Sequence, residues 1–265
     1  MKKIKDKKLI CILAVIFGLS LILIVSVLLL NREIKQYSES SDAHKEIEKF
    51  IIKEETEISN ENISSNEEFL ENSFSVDFEK LKEEAPDVIG WIIQENTNIN
   101  YPVMHTDNND YYLNHLYNGT QNKTGSIYVD YENNPEFKDY NTIIYGHNMN
   151  DGAMFASLLE YQKQDYYDAN KKINLILPNS NYEIEIFTAF VANPNEIGTE
   201  KSPWKLEWEN YEEYSNWLTN MQNRSMIKNN VLITPGDKVI TLSTCTANGK
   251  NRFIVMGKLV YIGEN

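Results

Sequence analysis

The chain has 265 residues, 42% hydrophobic and 24% charged, with a net charge of −14. Lys2, Lys3, Lys5, Lys7 and Lys8 against Asp6 give the N-terminal head +4, which leaves −18 for everything after it. So acidic a surface repels polyanions, and this excludes nucleic acid and anionic lipid as partners of the bulk of the molecule.

Directly after the basic head, Leu9 to Leu30 is a run of 22 residues without a charge. As a helix it extends roughly 33 Å, the thickness of a bilayer's hydrocarbon core. The positive-inside rule keeps residues 1–8 in the cytoplasm and sends everything beyond Asn31 outside the cell. The run is longer than the apolar stretch of a signal peptide, and no small-x-small site closes it, so it reads as an uncleaved single-pass anchor at the cell membrane. Residues 31–75 are rich in Glu, Ser, Asn, Lys and Ile, without Pro or Gly. They read as a charged, partly helical spacer in which Ile47, Phe50, Ile51 and Ile58 form a weak apolar stripe, either docked on the domain or part of an isolated stalk.

Residues 76–265 are long enough for one hydrophobic core. Asp77 can cap a short helix carrying Phe78, Leu81 and Ala85 on one face, with Pro86 as its stop. Eight short aromatic or β-branched runs follow, at 88–93, 99–104, 126–130, 142–145, 172–177, 182–191, 238–243 and 252–261, separated by Asn, Gly and Asp clusters. Eight such runs predict a mainly β domain, a barrel or a sandwich. Helices are expected at Met154 to Tyr161 and at Tyr211 to Asn223, where Tyr211, Tyr214, Trp217, Leu218 and Met221 recur at helical spacing. The second lies in a long inter-strand connection, where binding surfaces are commonly built.

The two cysteines are Cys11, inside the membrane run, and Cys245, at the end of the strand Thr241-Leu242-Ser243-Thr244-Cys245. A bilayer separates them, so they form no intramolecular disulfide, and an unpaired exported thiol points to nucleophilic chemistry. Arg252 stands seven positions later, and Arg224 is the only other arginine after residue 75. Asn248-Gly249 offers a turn between the two strands, bringing Cys245 and Arg252 face to face. A guanidinium there can bind the oxyanion of a tetrahedral acyl intermediate more specifically than an ammonium. His147 follows the apolar strand 142–145, and Gly146 permits a sharp exit that leaves the imidazole at the strand's open end as acid and base. Taken singly, each has a plain structural reading: a buried Cys, a loop His, a strand Arg capped by an acid. His105 and His115 keep the loop reading. The run Asp107 to Asp110 lacks the spacing of a calcium loop, so no metal and no cofactor is expected.

On these residues the chain resembles a sortase of class B, a family of membrane-anchored cysteine transpeptidases. The resemblance is carried by Asp87-Val88-Ile89-Gly90-Trp91-Ile92, Tyr101-Pro102-Val103, Gly125-Ser126-Ile127-Tyr128-Val129-Asp130, the stretch Asn141 to Met149 with Gly152-Ala153-Met154-Phe155, and Thr241 to Cys245. It implies an eight-stranded sortase-type β-barrel with added helices and a catalytic set of His147, Cys245 and Arg252. It also implies the reaction: cleavage of a C-terminal sorting motif of a secreted protein after Thr, a thioacyl intermediate on Cys245, and transfer to a peptidoglycan-precursor amine. By position Asn109, Tyr145, Ser243 and Thr244 are similar to residues beside the peptide groove. Thr246 stands where class B members often carry an acid, and the loop to Arg252 is short. A pilin-polymerising sortase, an L,D-transpeptidase and a non-catalytic surface module are the competing readings; the L,D-transpeptidase pattern needs His-Gly before the cysteine, where Ser243-Thr244 stand.

Overall fold

The computed structural model describes residues 2–54 and 73–265, with side chains at residues 12–52 and 74–265. Its first element, α1 (Lys2–Ile47), runs through the basic head, the apolar stretch and the first part of the expected spacer without a break. It is one helix long and apolar enough to cross a membrane. The chain divides into two compact units, residues 1–43 and 44–265.

The second unit begins at His44. After α1 and a 3₁₀ turn (Glu48–Phe50), β1 (Ile51–Glu54) pairs antiparallel with β2 (Ser73–Val76). Ile47 and Phe50 are buried, and Lys49 Nζ reaches Glu84 at 2.7 Å. The stripe is therefore docked, and it is not wholly helical, because Ile51 already lies in β1. Apolar side chains find more burial against the barrel than a lone stalk helix can offer them. Ile58 lies outside the described residues.

Next comes α2 (Phe78–Glu84), capped by Asp77, whose side chain accepts from the Lys80 amide. The eight remaining strands are β3 (Val88–Ile93), β4 (Asn100–Met104), β5 (Ile127–Val129), β6 (Asn141–Tyr145), β7 (Lys172–Leu177), β8 (Ser180–Ala192), β9 (Val239–Cys245) and β10 (Arg252–Gly263). They close into a barrel in the order β10-β8-β7-β3-β4-β5-β6-β9, with β9 paired back to β10. All pairs are antiparallel except β4–β5 and β6–β9. Closure leaves no edge strand.

Alternation along the strands separates two cores. Ile92, Val103, Ile144, Leu175, Leu242 and Phe253 are among those filling the barrel interior. On the outside, Phe190, Val239, Ile254 and Met256 pack under α4 (Tyr211–Asn223) through its Tyr214, Trp217, Leu218 and Met221. Asn210 caps α4 by accepting from the Glu213 amide. This helix has the predicted bounds because cap and apolar stripe are both local signals.

The expected helix from Met154 is displaced. Met154 has φ +56, and its amide donates to the Tyr101 hydroxyl at 2.9 Å, so a 3₁₀ segment (Ala156–Gln162) forms instead, followed by a short α3 (Gln164–Ala169) that the periodicity did not reveal.

Candidate active site

The site lies at one end of β6, β9 and β10. In β9, Ile240 and Leu242 point into the barrel, whereas Thr241 donates to Asn141 Oδ1 and Ser243 Oγ accepts from Trp204 Nε1 at 3.1 Å on the outer face. Cys245 continues the Thr241, Ser243 series, so its thiol emerges on that outer face. It is a free, half-buried cysteine. Across the antiparallel ladder its partner is Arg252. Facing residues of such a pair project to the same side, and Ile254 and Met256 in the outer cluster fix which side that is.

The loop between them is tight. Thr246 N donates to Asn251 O at 3.0 Å and Gly249 N to Thr246 O at 2.8 Å, while the Thr246 hydroxyl engages Asn248 Oδ1 at 2.8 Å. Gly249, at φ +69, supplies the left-handed residue this turn requires. Among the described residues the Arg252 guanidinium makes only long hydrogen bonds, 3.5 Å to Gly249 O and 3.4 Å to Asn251 O. Among the described residues no carboxylate forms an ion pair with it, so the reading of a strand arginine capped by an acid does not apply. Arg224 is the contrast: it pairs with Glu196 at 2.8 Å and lies 4.2 Å from the Phe190 ring centroid.

His147 is brought up from the other side. β6 runs parallel to β9 with Tyr145 opposite Ser243, and Gly146 N extends the ladder to Ser243 O at 3.2 Å. His147 is the next residue after this last ladder bond. A Cβ at position 146 would run into Ile127 Cδ1 and lie 2.6 Å from Phe155 Cδ2, so a side chain here would force these neighbours to move. Phe155 is fully buried, and its amide holds the His147 carbonyl at 2.9 Å. Gly146→Ala is accordingly expected to destabilise the fold by about 1–3 kcal/mol through overpacking. Thermal unfolding checks this: a melting temperature equal to that of the parent would mean that the Phe155 contact gives way freely.

The His147 Nε2 lies 2.9 Å from Leu113 O. A carbonyl only accepts, so Nε2 carries the hydrogen in this arrangement, and Nδ1 is the nitrogen left for proton transfer.

Of the four residues expected beside the groove, Asn109 and Tyr145 meet at Asp130. Its Oδ2 accepts from Tyr145 Oη at 2.8 Å and from Asn109 Nδ2 at 3.0 Å. Ser243 shares the face of Cys245 but is covered by Trp204. Thr244 alternates to the interior side, 2% exposed, and its hydroxyl is buried without a hydrogen-bond partner among the described residues. Its side chain therefore does not reach the thiol's face.

Sequence reasoning passed over Tyr128, Asp130 and Trp204. Tyr128 pairs with Tyr145, the ring centroids 5.3 Å apart. Burial pushes its hydroxyl well up, Asp130 and Asp110 add to this, and Arg252 and Cys245 are close enough to act on it with opposite signs. The alternation Ile127-Tyr128-Val129 carried a signal, since it turns the tyrosine away from the apolar interior. Trp204 carried none, because its seat on Ser243 is a contact made across the fold.

A half-buried thiol paired in register with an arginine that has no carboxylate partner among the described residues, at the rim of a closed barrel, suits acyl transfer through a thioester. Comparison with known proteins agrees. Residues 93–260 match the sortase domain family. Sortase B of Listeria monocytogenes is 37% identical over 187 residues, covering 69% of this chain and 73% of its own length, and Sortase B of Staphylococcus aureus is 31% identical over 188, covering 70% and 75%. Among solved structures, a Staphylococcus aureus sortase B–substrate complex superposes with a TM-score of 0.65 at 30% identity, over 70% of this chain and 85% of that one. Sortase B from Bacillus anthracis in complex with AAEK1 gives 0.69 at 28% identity, over 86% and 100%. The chain belongs to the sortase family, in its class B branch, and is a cysteine transpeptidase whose general role is cell-wall anchoring of proteins bearing a sorting motif. Neither an L,D-transpeptidase nor a non-catalytic surface module fits this family.

Proposed function

We propose that Cys245, His147 and Arg252 carry the transpeptidation. The Cys245 thiol gives its proton to His147 Nδ1, and the sulfur attacks the carbonyl carbon of the Thr of the sorting motif. The new C–S bond and the oxyanion form together, and Arg252 donates to that oxygen. As the C–N bond breaks, His147 gives its proton to the leaving amine. An incoming amine of a peptidoglycan precursor then loses a proton to His147, forms the new C–N bond and expels the Cys245 thiolate. The observation that carries this is the register pairing of Cys245 with an arginine that has no carboxylate partner among the described residues. Asn109 and Tyr145 line the groove for the motif, while Ser243 and Thr244 support the strand beneath it.

Residues 1–8 are the cytoplasmic head and residues 9–30 the membrane span, with the catalytic unit outside the cell. This orientation rests on the lysines before the span. Residues 31–43 are the spacer, and the catalytic unit takes in residues 44–265, since β1 and β2 belong to its compact unit. A chain starting at His44 is expected to stay monodisperse without detergent and to keep peptide turnover. Size-exclusion chromatography with an activity assay checks it, and aggregation would mean that residues before His44 belong to the fold.

The test of the reaction is intact mass of the full-length chain in detergent, after incubation with a library of sorting-motif peptides, with and without triglycine as the amine. An acyl adduct that the amine discharges is expected. A free thiol with no adduct from any peptide would overturn the reading.

A further inference from the structure

Asp130 has no task in the chemistry above, yet it is a carboxylate placed at the site and only 6% exposed. It directly follows β5, and its amide extends the ladder to Ile143 O at 2.9 Å. A carboxylate withdrawn from water is costly unless well partnered. Among the described residues, no Lys, Arg or His forms an ion pair with it. Its partners are neutral donors: Tyr145 Oη at 2.8 Å and Asn109 Nδ2 at 3.0 Å on Oδ2, and the Glu132 amide at 3.1 Å on Oδ1. All three donate, so only an acceptor-only side chain satisfies them together. An asparagine of the same shape would turn an NH₂ group against at least one of these donors.

The bond to Glu132 shapes a local turn. The two bonds on Oδ2 do something else, for they join the β4–β5 connection, through Asn109, to the end of β6, through Tyr145. Asn109 Oδ1 accepts from the Tyr131 amide at 3.0 Å, which fixes the orientation of its side-chain amide. One amide hydrogen of Asn109 and the lone pairs of the Tyr145 phenol then have no assigned partner among the described residues. Burial first, and then Asp130's charge and hydrogen bond, push the Tyr145 hydroxyl far up against an opposing pull from Arg252, so it stays protonated and donates.

We propose that Asp130 is a positioning residue: through Oδ2 it holds the Tyr145 phenol and the Asn109 amide as one wall of the peptide groove, leaving that amide hydrogen and those lone pairs for the backbone of the sorting motif. The inference rests on the acyl-transfer reading and adds to it the residue that aligns the substrate. It acts on peptide binding and leaves the reactivity of the thiol alone.

Three readouts on the full-length chain in detergent test this: kcat and KM with a peptide the parent turns over, the rate of Cys245 alkylation by iodoacetamide, and the melting temperature. Asp130→Asn is expected to raise KM about tenfold, with kcat changed less than about threefold and alkylation less than about twofold. Tyr145→Phe is expected to raise KM similarly, and the double variant to be no worse than Asp130→Asn alone, since both remove one interaction. An unchanged KM, or kcat and alkylation falling together, would overturn the proposal, the second outcome marking a general structural role. If Asp130→Asn does not fold, Tyr145→Phe and Asn109→Ala decide, and an unchanged KM in both overturns it. A parent chain that turns over no peptide removes the acyl-transfer reading itself, and this proposal with it, an outcome distinct from a parent that works and an Asp130→Asn variant with the parent's KM.

Discussion

Cys245→Ala is expected to lower turnover of a sorting-motif peptide by at least about 10⁴-fold, the scale seen when a covalent nucleophile is removed. An alanine forms no thioester, and the described residues near it offer no substitute thiol: Ser243 is bound under Trp204, and Thr244 points into the barrel. Little else should change. The thiol is half-buried at the last position of β9, outside both apolar clusters, so removing one sulfur leaves no cavity in a core. The melting temperature is expected to correspond to a stability change below about 1 kcal/mol. Turnover and thermal unfolding measured on one preparation check both halves. Residual turnover above a hundredth of the parent's, in protein free of contaminating parent enzyme, would mean that the thiol is not the nucleophile.

Arg252→Lys is the second large effect. Loss of one well-placed oxyanion donor costs about 10²–10³ in kcat, or roughly 3–4 kcal/mol. A lysine keeps the charge but not the planar fork, and its flexible stem does not hold one donor in the required direction. The oxyanion exists only in the transition state and intermediate, so KM is expected to stay within about threefold. Stability should move by less than about 0.5 kcal/mol, because no buried acid is left without a partner when the guanidinium goes. Arg224→Lys is the matching control: it disturbs the pair with Glu196 and the stack on Phe190, and is expected to lower stability by about 1 kcal/mol while turnover stays at the parent's level. An Arg252→Lys variant with unchanged kcat and raised KM would move this residue from the oxyanion to the substrate's ground state.

How legible the molecule was in its sequence differs from element to element. The eight strands were readable because β-branched and aromatic runs between Asn, Gly and Asp clusters are a local pattern. The same holds for α4, whose cap at Asn210 and apolar stripe both lie within a few residues of each other. The helix expected from Met154 failed because the hydroxyl that captures the Met154 amide belongs to Tyr101, on another strand. The spacer stripe was visible, but its docking was not, since the surface that buries Ile47 and Phe50 is assembled from the folded unit. Thr244 is similar by position to a residue beside the groove, and strand alternation turns its side chain to the face opposite that of Cys245.

By itself the sequence determined the apolar run long enough to cross a membrane, the set of strands, and the three side chains proposed to carry acyl transfer: each is a property of a residue type or of a short periodic segment. Only the tertiary structure decided that β9 lies between β6 and β10, that Cys245 faces Arg252 in register, that Gly146 continues the β6–β9 ladder onto Ser243, and that Asp130 ties Asn109 to Tyr145. The reason is physical. A strand's period depends on neighbours two positions away, but its pairing partner is chosen by closure of the whole barrel and the packing of its interior, a sum over contacts between residues far apart in the chain.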